Sequence, residues 1–292
     1  LFSIGCLLVG WNFLTRNVNF QHSNTQAETI RVMSYNMEAT YRFHAPSPSG
    51  RLLDFDANNF IHFLEQRAID IAVFQEFALP NAGLKSLQEA YRKAGYYAYK
   101  APAKSIQIVS KYPILEQGYM AFEKNNTNGC LYIDVECEGK ALRIYGIHLQ
   151  SNQVSILADE VASVSSFQAK EIGQKVRAMF VGYKNAAAIR ATQVQKISAH
   201  LRQCPHPAII CGDFNDVPQS YAYQQLAQGL QDTFQEKGWG IGTTYSGVLP
   251  FLRIDYVLAA PQFTITHQTT ERKVVYSDHY PVIAEMEWNL KN

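Results

Sequence analysis

The chain has 292 residues, 47% apolar and 17% charged, enough to bury one large core or two small ones and incompatible with a disordered or collagen-like chain. Twenty-six basic residues against 25 acidic leave a formal charge of +1, so no global positive field holds the protein on a polyanion, which argues against a histone-like or nucleic-acid coat role. The five cysteines, Cys6, Cys130, Cys137, Cys204 and Cys211, are odd in number and include no CxxC, against a thiolate zinc site or a complete disulfide framework.

Residues 1–14 (LFSIGCLLVGWNFL) are apolar apart from Ser3 and Asn12. The run is shorter than the roughly 20 apolar residues that span a bilayer, and no Met precedes it, so it is expected to be the cut end of a membrane helix or of a signal-peptide core. Trp11 would then sit at the interface, residues 15–29 form a polar linker, and 30–292 form one domain. The reading implies a membrane-anchored or exported domain; a cytoplasmic protein with an apolar tail is the alternative. A monomer is expected.

Ile30–Asn36 (IRVMSYN) and residues 70–76 (DIAVFQE) are short apolar runs ending in polar residues and are predicted as strands, with the helical periodicity of 56–67 between them. Residues 86–94 read as a second helix. Strands follow at 106–110, 129–136 and 141–148, the last two joined as a hairpin by Glu138-Gly139-Lys140. No proline interrupts 154–203, where apolar residues recur at helical spacing, so one long helix or two consecutive ones run to the stop at Cys204-Pro205-His206-Pro207. Seven basic residues against three acidic in this stretch read as a solvated face, or else as a local strip that attracts phosphate. Strand 208–212, helix 220–227 and strands 253–259, 263–269 and Val282–Trp288 complete the chain, with Cys137 and Cys211 as core residues of strands. The pattern fits two sheets packed face to face with helices outside.

Residues able to bind metal or move protons cluster at the ends of the apolar strands. Asn36 ends the first strand and Glu76 the second. His148 ends the hairpin, Asp213 and Asn215 follow Ile209-Ile210-Cys211-Gly212, Asp255 lies in Arg253-Ile254-Asp255-Tyr256, and Ser277-Asp278-His279 precedes the last strand. A charge emerging from an apolar strand must be paired, coordinated or solvated in a cleft, since burying it bare costs several kcal/mol. Each has an ordinary reading alone: Asn36 as a turn cap, Gln75-Glu76 as a solvated strand end, Asp213-Phe214-Asn215 as an Asx turn, His148 as a satisfied core histidine. Carboxylate and amide oxygens with only two histidines and no cysteine select Mg²⁺, with Mn²⁺ as substitute, rather than zinc.

Together and in this order, the blocks Tyr35-Asn36, Gln75-Glu76, Gly146-Ile147-His148-Leu149-Gln150-Ser151, Gly212-Asp213-Phe214-Asn215, Arg253-Ile254-Asp255-Tyr256 and Ser277-Asp278-His279 resemble the endonuclease/exonuclease/phosphatase superfamily, the deoxyribonuclease I-like enzymes. The resemblance runs from about Ile30 to Trp288. It implies an α+β fold, a four-layer α/β/β/α sandwich of two mixed sheets with the active site at one rim. It further implies that Glu76 is the principal metal ligand with Asn36 beside it, and that Asp278 lies near a second metal position. By the same resemblance Asp213 orients or deprotonates the attacking water, Asn215 holds the water or a phosphate oxygen, and His279, oriented by Asp255, donates to the phosphate. His148 and Asn128 match further phosphate contacts.

Arg190 and Gln193, in the long helix, read as surface polarity rather than as support beneath the site. Residues 41–50 (YRFHAPSPSG), with His44, would overhang the cleft, touching substrate or standing in solvent. The expected activity is Mg²⁺-dependent hydrolysis of phosphoester bonds, by a nuclease or phosphodiesterase acting on nucleic acid, or alternatively on a phospholipid or phosphoinositide head group. A non-catalytic binding module on the same fold is the alternative of another class. A glycosidase-like carboxylate pair suits Asp213-x-Asn215 and two phosphate-directed histidines poorly.

Overall fold

The computed structural model describes residues 15–20, 29–37, 44–46, 52–79, 81–101, 105–122, 128–151, 169–247, 251–274 and 276–289. The apolar segment 1–14, most of the 41–50 loop and residues 152–168 of the expected helical stretch lie outside the described residues.

In chain order the elements are β1 (Val18–Phe20), β2 (Ile30–Asn36), β3 (His44–Pro46), β4 (Leu52–Phe55), α1 (Ala57–Glu65), β5 (Ile71–Gln75), α2 (Asn81–Lys93), β6 (Tyr97–Lys100), β7 (Gln107–Ser110), β8 (Ile114–Ala121), β9 (Gly129–Cys137) and β10 (Lys140–His148). The second half follows with α3 (Ala169–Leu201), β11 (Ala208–Asp213), α4 (Tyr221–Leu226), β12 (Gln231–Asp232), α5 (Thr233–Lys237), β13 (Trp239–Ile241), β14 (Asp255–Ala259), β15 (Phe263–Thr270) and β16 (Val282–Trp288). Polar side chains start α1, α4 and α5. Asp56 accepts from the amides of Asn58 and Asn59 ahead of α1, and Ser220 accepts from Tyr223 N ahead of α4, each satisfying donors that the first turn leaves open.

Two mixed six-stranded sheets result. The first has the order β15-β16-β2-β5-β7-β6 and the second β12-β14-β11-β10-β9-β8. Side-chain alternation along each strand separates three apolar layers. Ile30 and Val32 of β2, Ile71 and Val73 of β5, Leu142 and Ile144 of β10 and Ile209 and Cys211 of β11 meet between the sheets, and Cys137 of β9 joins them. Met33, Tyr35, Ala72 and Phe74 point the other way, against Phe60, Phe63 and Leu64 of α1 and Leu87 and Tyr91 of α2. Tyr145, Ile147, Ile210 and Leu258 cover the opposite outer face under Val194 and Ile197 of α3. This is the four-layer sandwich expected from the sequence.

The facing sheet packs tightly on Gly146, where a Cβ would stand 2.8 Å from Val73 Cγ1. Glycine permits the approach.

The start of the expected linker belongs to the folded body. β1 pairs antiparallel with β13, the Asn17 carbonyl accepts from Gly242 N, and the Arg16 carbonyl accepts from Arg253 Nη2 at 2.8 Å. A polar stretch that completes a ladder and caps a buried guanidinium has more to gain on the surface of the domain than in water. Part of the 41–50 loop is likewise ordered as the β3–β4 ribbon. No helix among the described residues is long and apolar enough to cross a membrane.

Candidate active site

The inward-facing row of each central strand ends in a polar residue at the same rim. In β2 it passes through Ile30, Val32 and Ser34 to Asn36; in β10 through Leu142, Ile144 and Gly146 to His148; in β11 through Ile209 and Cys211 to Asp213; in β14 it begins at Asp255 before Val257. Register aligns them laterally. His148 lies opposite Asp213 and Asp213 opposite Asp255, while Asn36 lies opposite Gln75 across β2 and β5.

Glu76 does not follow this rule. By alternation it would share the outward face of Ala72 and Phe74, but its backbone takes φ +51°, the left-handed region that a non-glycine residue enters at a cost of roughly 1–2 kcal/mol. The turn brings the carboxylate back over the rim, where Oε1 accepts from Asn36 Nδ2 at 3.3 Å and stands 3.6 Å from His148 Nε2.

Asn36 Nδ2 also donates to Asp213 Oδ2 at 3.0 Å, so one amide bridges two carboxylates far apart in the chain. Asp213 is closed by an Asx turn: Asn215, at φ +52°, donates its backbone N–H to Oδ1 at 2.7 Å and Nδ2 to Oδ2 at 3.1 Å. Asn215 Nδ2 also reaches the Leu149 carbonyl at 3.0 Å, tying this turn to the end of β10. Gly212 supports the arrangement, because a Cβ there would lie 2.0 Å from the Ile147 carbonyl oxygen.

Across the rim, His279 Nδ1 and Asp255 Oδ2 are 2.9 Å apart, while Nε2 stands 3.9 Å from both Asp213 Oδ2 and Asp278 Oδ1. His148 Nε2 lies 3.8 Å from Asp213 Oδ2. These separations exceed hydrogen bonds, so both imidazoles face the carboxylates without closing on them. Burial opposes the charge on His279, yet the coulombic field of Asp255 and Asp213 outweighs it and raises the pKa to about 10. Asp213 is pushed up to about 6, first by burial and then by repulsion from Asp255, with the two histidines pulling the other way. Asn128 is buried just before β9, whose Gly129 is the register partner of His148.

Three supporting features had no signal in the sequence reading or were read otherwise. Thr244 Oγ1 accepts from both Ile254 N and Asp255 N, at 3.0 and 3.1 Å, and holds the start of β14. Tyr245 bridges to His279 and packs its ring edge-on against the imidazole at 5.2 Å. Arg190 and Gln193 are buried rather than surface residues. Arg190 holds Asp216 at 2.9 Å and the Gln150 carbonyl at 2.8 Å, and Gln193 Oε1 accepts from Gln150 N. They face inward because this side of α3 covers the loops behind Asp213 and His148, whose backbone groups need partners. Arg190 lies on the same stripe as Val194 and Ile197, and that spacing was available in the sequence.

A divalent cation is chemically suited to this rim. Among the described residues, both ring nitrogens of buried His148 and Asp255 Oδ1 are without hydrogen-bond partners, which a site built to receive further polar groups explains. Asp213, Asp255 and His279 offer ligating atoms all within 4.8 Å of one another, a group that could hold a metal ion. The Asp255–His279 hydrogen bond already occupies one side of that trio. The oxygens of Glu76 and Asn36 match a hard cation that keeps part of its water shell.

Residues 17–279 match the model of the Endonuclease/Exonuclease/phosphatase family. No curated protein matches the sequence. Among solved structures, an endonuclease/exonuclease/phosphatase from Beutenbergia cavernae is 16% identical with a TM-score of 0.62, over 90% of this chain and 72% of that one. TDP2 of D. rerio, complexed with a single-strand DNA product, is 16% identical with a TM-score of 0.61, over 89% and 100%. Sphingomyelinase C from Streptomyces griseocarneus is 18% identical with a TM-score of 0.53, over 89% and 99%. The shared sandwich and the family match over most of the chain lead to one conclusion: this protein belongs to the endonuclease/exonuclease/phosphatase family and is a metal-dependent phosphoric ester hydrolase.

Proposed function

We propose that the protein is a Mg²⁺-dependent nuclease or phosphodiesterase, with Mn²⁺ as a substitute ion. The observation that carries this reading is the placement of Asp213, bridged by Asn36 to Glu76 on one side and faced by the Asp255-held His279 on the other. Glu76 and Asn36 would hold the cation, with Asp278 as a carboxylate near a second position. Such an ion neutralises charge on the phosphoryl oxygens and steadies the leaving group.

Asp213 Oδ2 orients a water for attack on phosphorus and accepts its proton, and the amides of Asn215 fix the carboxylate plane for that task. His279, protonated and held at Nδ1 by Asp255, presents Nε2–H to the phosphate as negative charge develops. His148 supplies a second donor to the same oxygens, and Asn128 a further contact at the edge. Fold and catalytic set do not choose the leaving group.

A phospholipid or phosphoinositide head group is the second reading, favoured by α3. Tyr183 bonds Asp216 beside the rim, and beyond it the same helical stripe continues through Phe180, 72% exposed, and Val176. Exposed apolar side chains on the helix that reaches the Asp216 turn suit a substrate presented at a lipid surface.

The test is a Mg²⁺-supplemented panel of plasmid DNA, RNA, sphingomyelin, phosphoinositides and bis(p-nitrophenyl) phosphate, run beside a chelator and Asp213→Ala. Turnover lost to chelation and reduced by about 10²–10⁴-fold in the variant is expected. Activity untouched by both controls would overturn the assignment, and no turnover on any ester would favour a binding module.

A further inference from the structure

A cavity of about 230 Å³ lies between α2 and the first sheet, lined in part by Leu84, Leu87 and Tyr91 of the helix and by Lys100 and Gln107 of β6 and β7. Register sets Gln107 opposite Phe74 and Lys100 opposite Gln107, so this is the outer, helix-covered face, not the cleft between the sheets. The half-buried Lys100 ammonium sits 5.6 Å from the centre of the Phe77 ring and has no carboxylate partner among the described residues. Burial lowers its pKa, as for a cation lacking a counter-charge.

Gln107 is only 4% exposed. Its Oε1 accepts from Tyr91 OH at 3.2 Å, which leaves the Nε2 donors as the end of the amide available to the cavity. Among the described residues, no acidic side chain is part of the lining. A half-open pocket that offers an ammonium and an amide N–H, with no competing acceptor charge among the described residues, selects an anion.

We propose that this cavity binds a phosphate group, separately from the catalytic rim. Tetrahedral oxygens can accept from Lys100 and Gln107 together, and a lysine acts on phosphate as a point charge. The remaining volume is walled by Leu84, Leu87 and Tyr91, so a phosphomonoester carrying a small apolar group fills it better than the free ion. Phe77 directly follows Glu76, which places the bound anion next to the metal-ligand strand but on the other side of the sheet.

The test is calorimetric titration of the full chain in a chelator, with inorganic phosphate and phenyl phosphate as probes, so that no turnover is required and a failure of the catalytic proposal leaves the result readable. Lys100→Met is expected to weaken binding by about tenfold or more, on the scale of one charge-assisted hydrogen bond. Gln107→Glu, which gives Lys100 an internal partner, should abolish it. A His148→Ala/His279→Ala variant should bind as the wild type does, and Lys100→Met should keep wild-type hydrolysis of bis(p-nitrophenyl) phosphate. Tighter binding of phenyl phosphate assigns the site to a monoester, and equal binding assigns it to the free ion. Unchanged affinity in folded Lys100→Met and Gln107→Glu, or binding that disappears with the rim histidines, would overturn the proposal.

Discussion

Replacing Asp255 by Asn keeps the shape beside His279 Nδ1 but removes the charge that does most to hold the imidazole protonated. In the native protein burial works against the imidazolium, and the carboxylates of Asp255 and Asp213 overcome it, so the pKa stands at about 10. Without Asp255 the remaining attraction of Asp213 and the desolvation of a buried ring act in opposite directions, and the value falls toward the ordinary imidazole value of about 6.5. At about pH 8.5 the native imidazole is then almost fully protonated and the variant's only ~1% protonated, a difference of roughly a hundredfold; at about pH 6 the two differ by about twofold or less. A cation held at Glu76 would lower both values. The assay is kcat/KM against pH on bis(p-nitrophenyl) phosphate, where the alkaline limb of Asp255→Asn should move to lower pH by several units. The same linkage governs stability: the Asp255–His279 contribution is fully present below about pH 6.5 and is lost as pH rises through about 10. A limb that stays in place, or a loss of rate equal at all pH values, would refute the assignment of His279 as a protonated donor.

Gly146→Ala should destabilise the fold by about 1–3 kcal/mol, because its Cβ would meet Val73 Cγ1 at 2.8 Å where the two sheets close on each other; an unchanged urea midpoint would contradict that packing. Arg190→Met removes the fully buried guanidinium that holds Asp216 and the Gln150 carbonyl, leaving a buried carboxylate short of its main partner. A loss of about 3–5 kcal/mol is expected in the same unfolding assay, with a fall in kcat as the loops behind Asp213 and His148 loosen, and stability near that of the native protein would show that the clamp is not needed.

The strands that build the rim were legible because two-residue alternation in β2, β10 and β11 runs through apolar positions until it meets Asn36, His148 and Asp213 on the inward side. The edge strand β15 was legible too, but the edge strands β8 and β6 were not. β8 (ILEQGYMA) is largely exposed and β6 (YAYK) is short and half solvated, so neither buries the repeating face that marks a strand. Glu76 was found by its place in the motif, but alternation alone would have pointed it away from the site; the left-handed backbone that returns it is a tertiary feature. Arg190 shows the opposite error. A polar residue on a helical stripe was taken for a solvated one, although Val194 and Ile197 on the same face turn inward. Thr244 and Tyr245 act through contacts with Asp255 and His279, and nothing local in their sequence announces that.

On the proposed function, oxygens from β2 and the turn after β5 would hold a divalent cation beside Asp213. Crystals grown with Mn²⁺ and measured for anomalous scattering test it most directly. An anomalous peak is expected within about 2.5 Å of a Glu76 carboxylate oxygen and of the Asn36 amide oxygen, and it should disappear in Glu76→Gln. An ion held by the Asp255–His279 pair with Glu76 uninvolved, or no ion at the rim at saturating Mn²⁺, would contradict it.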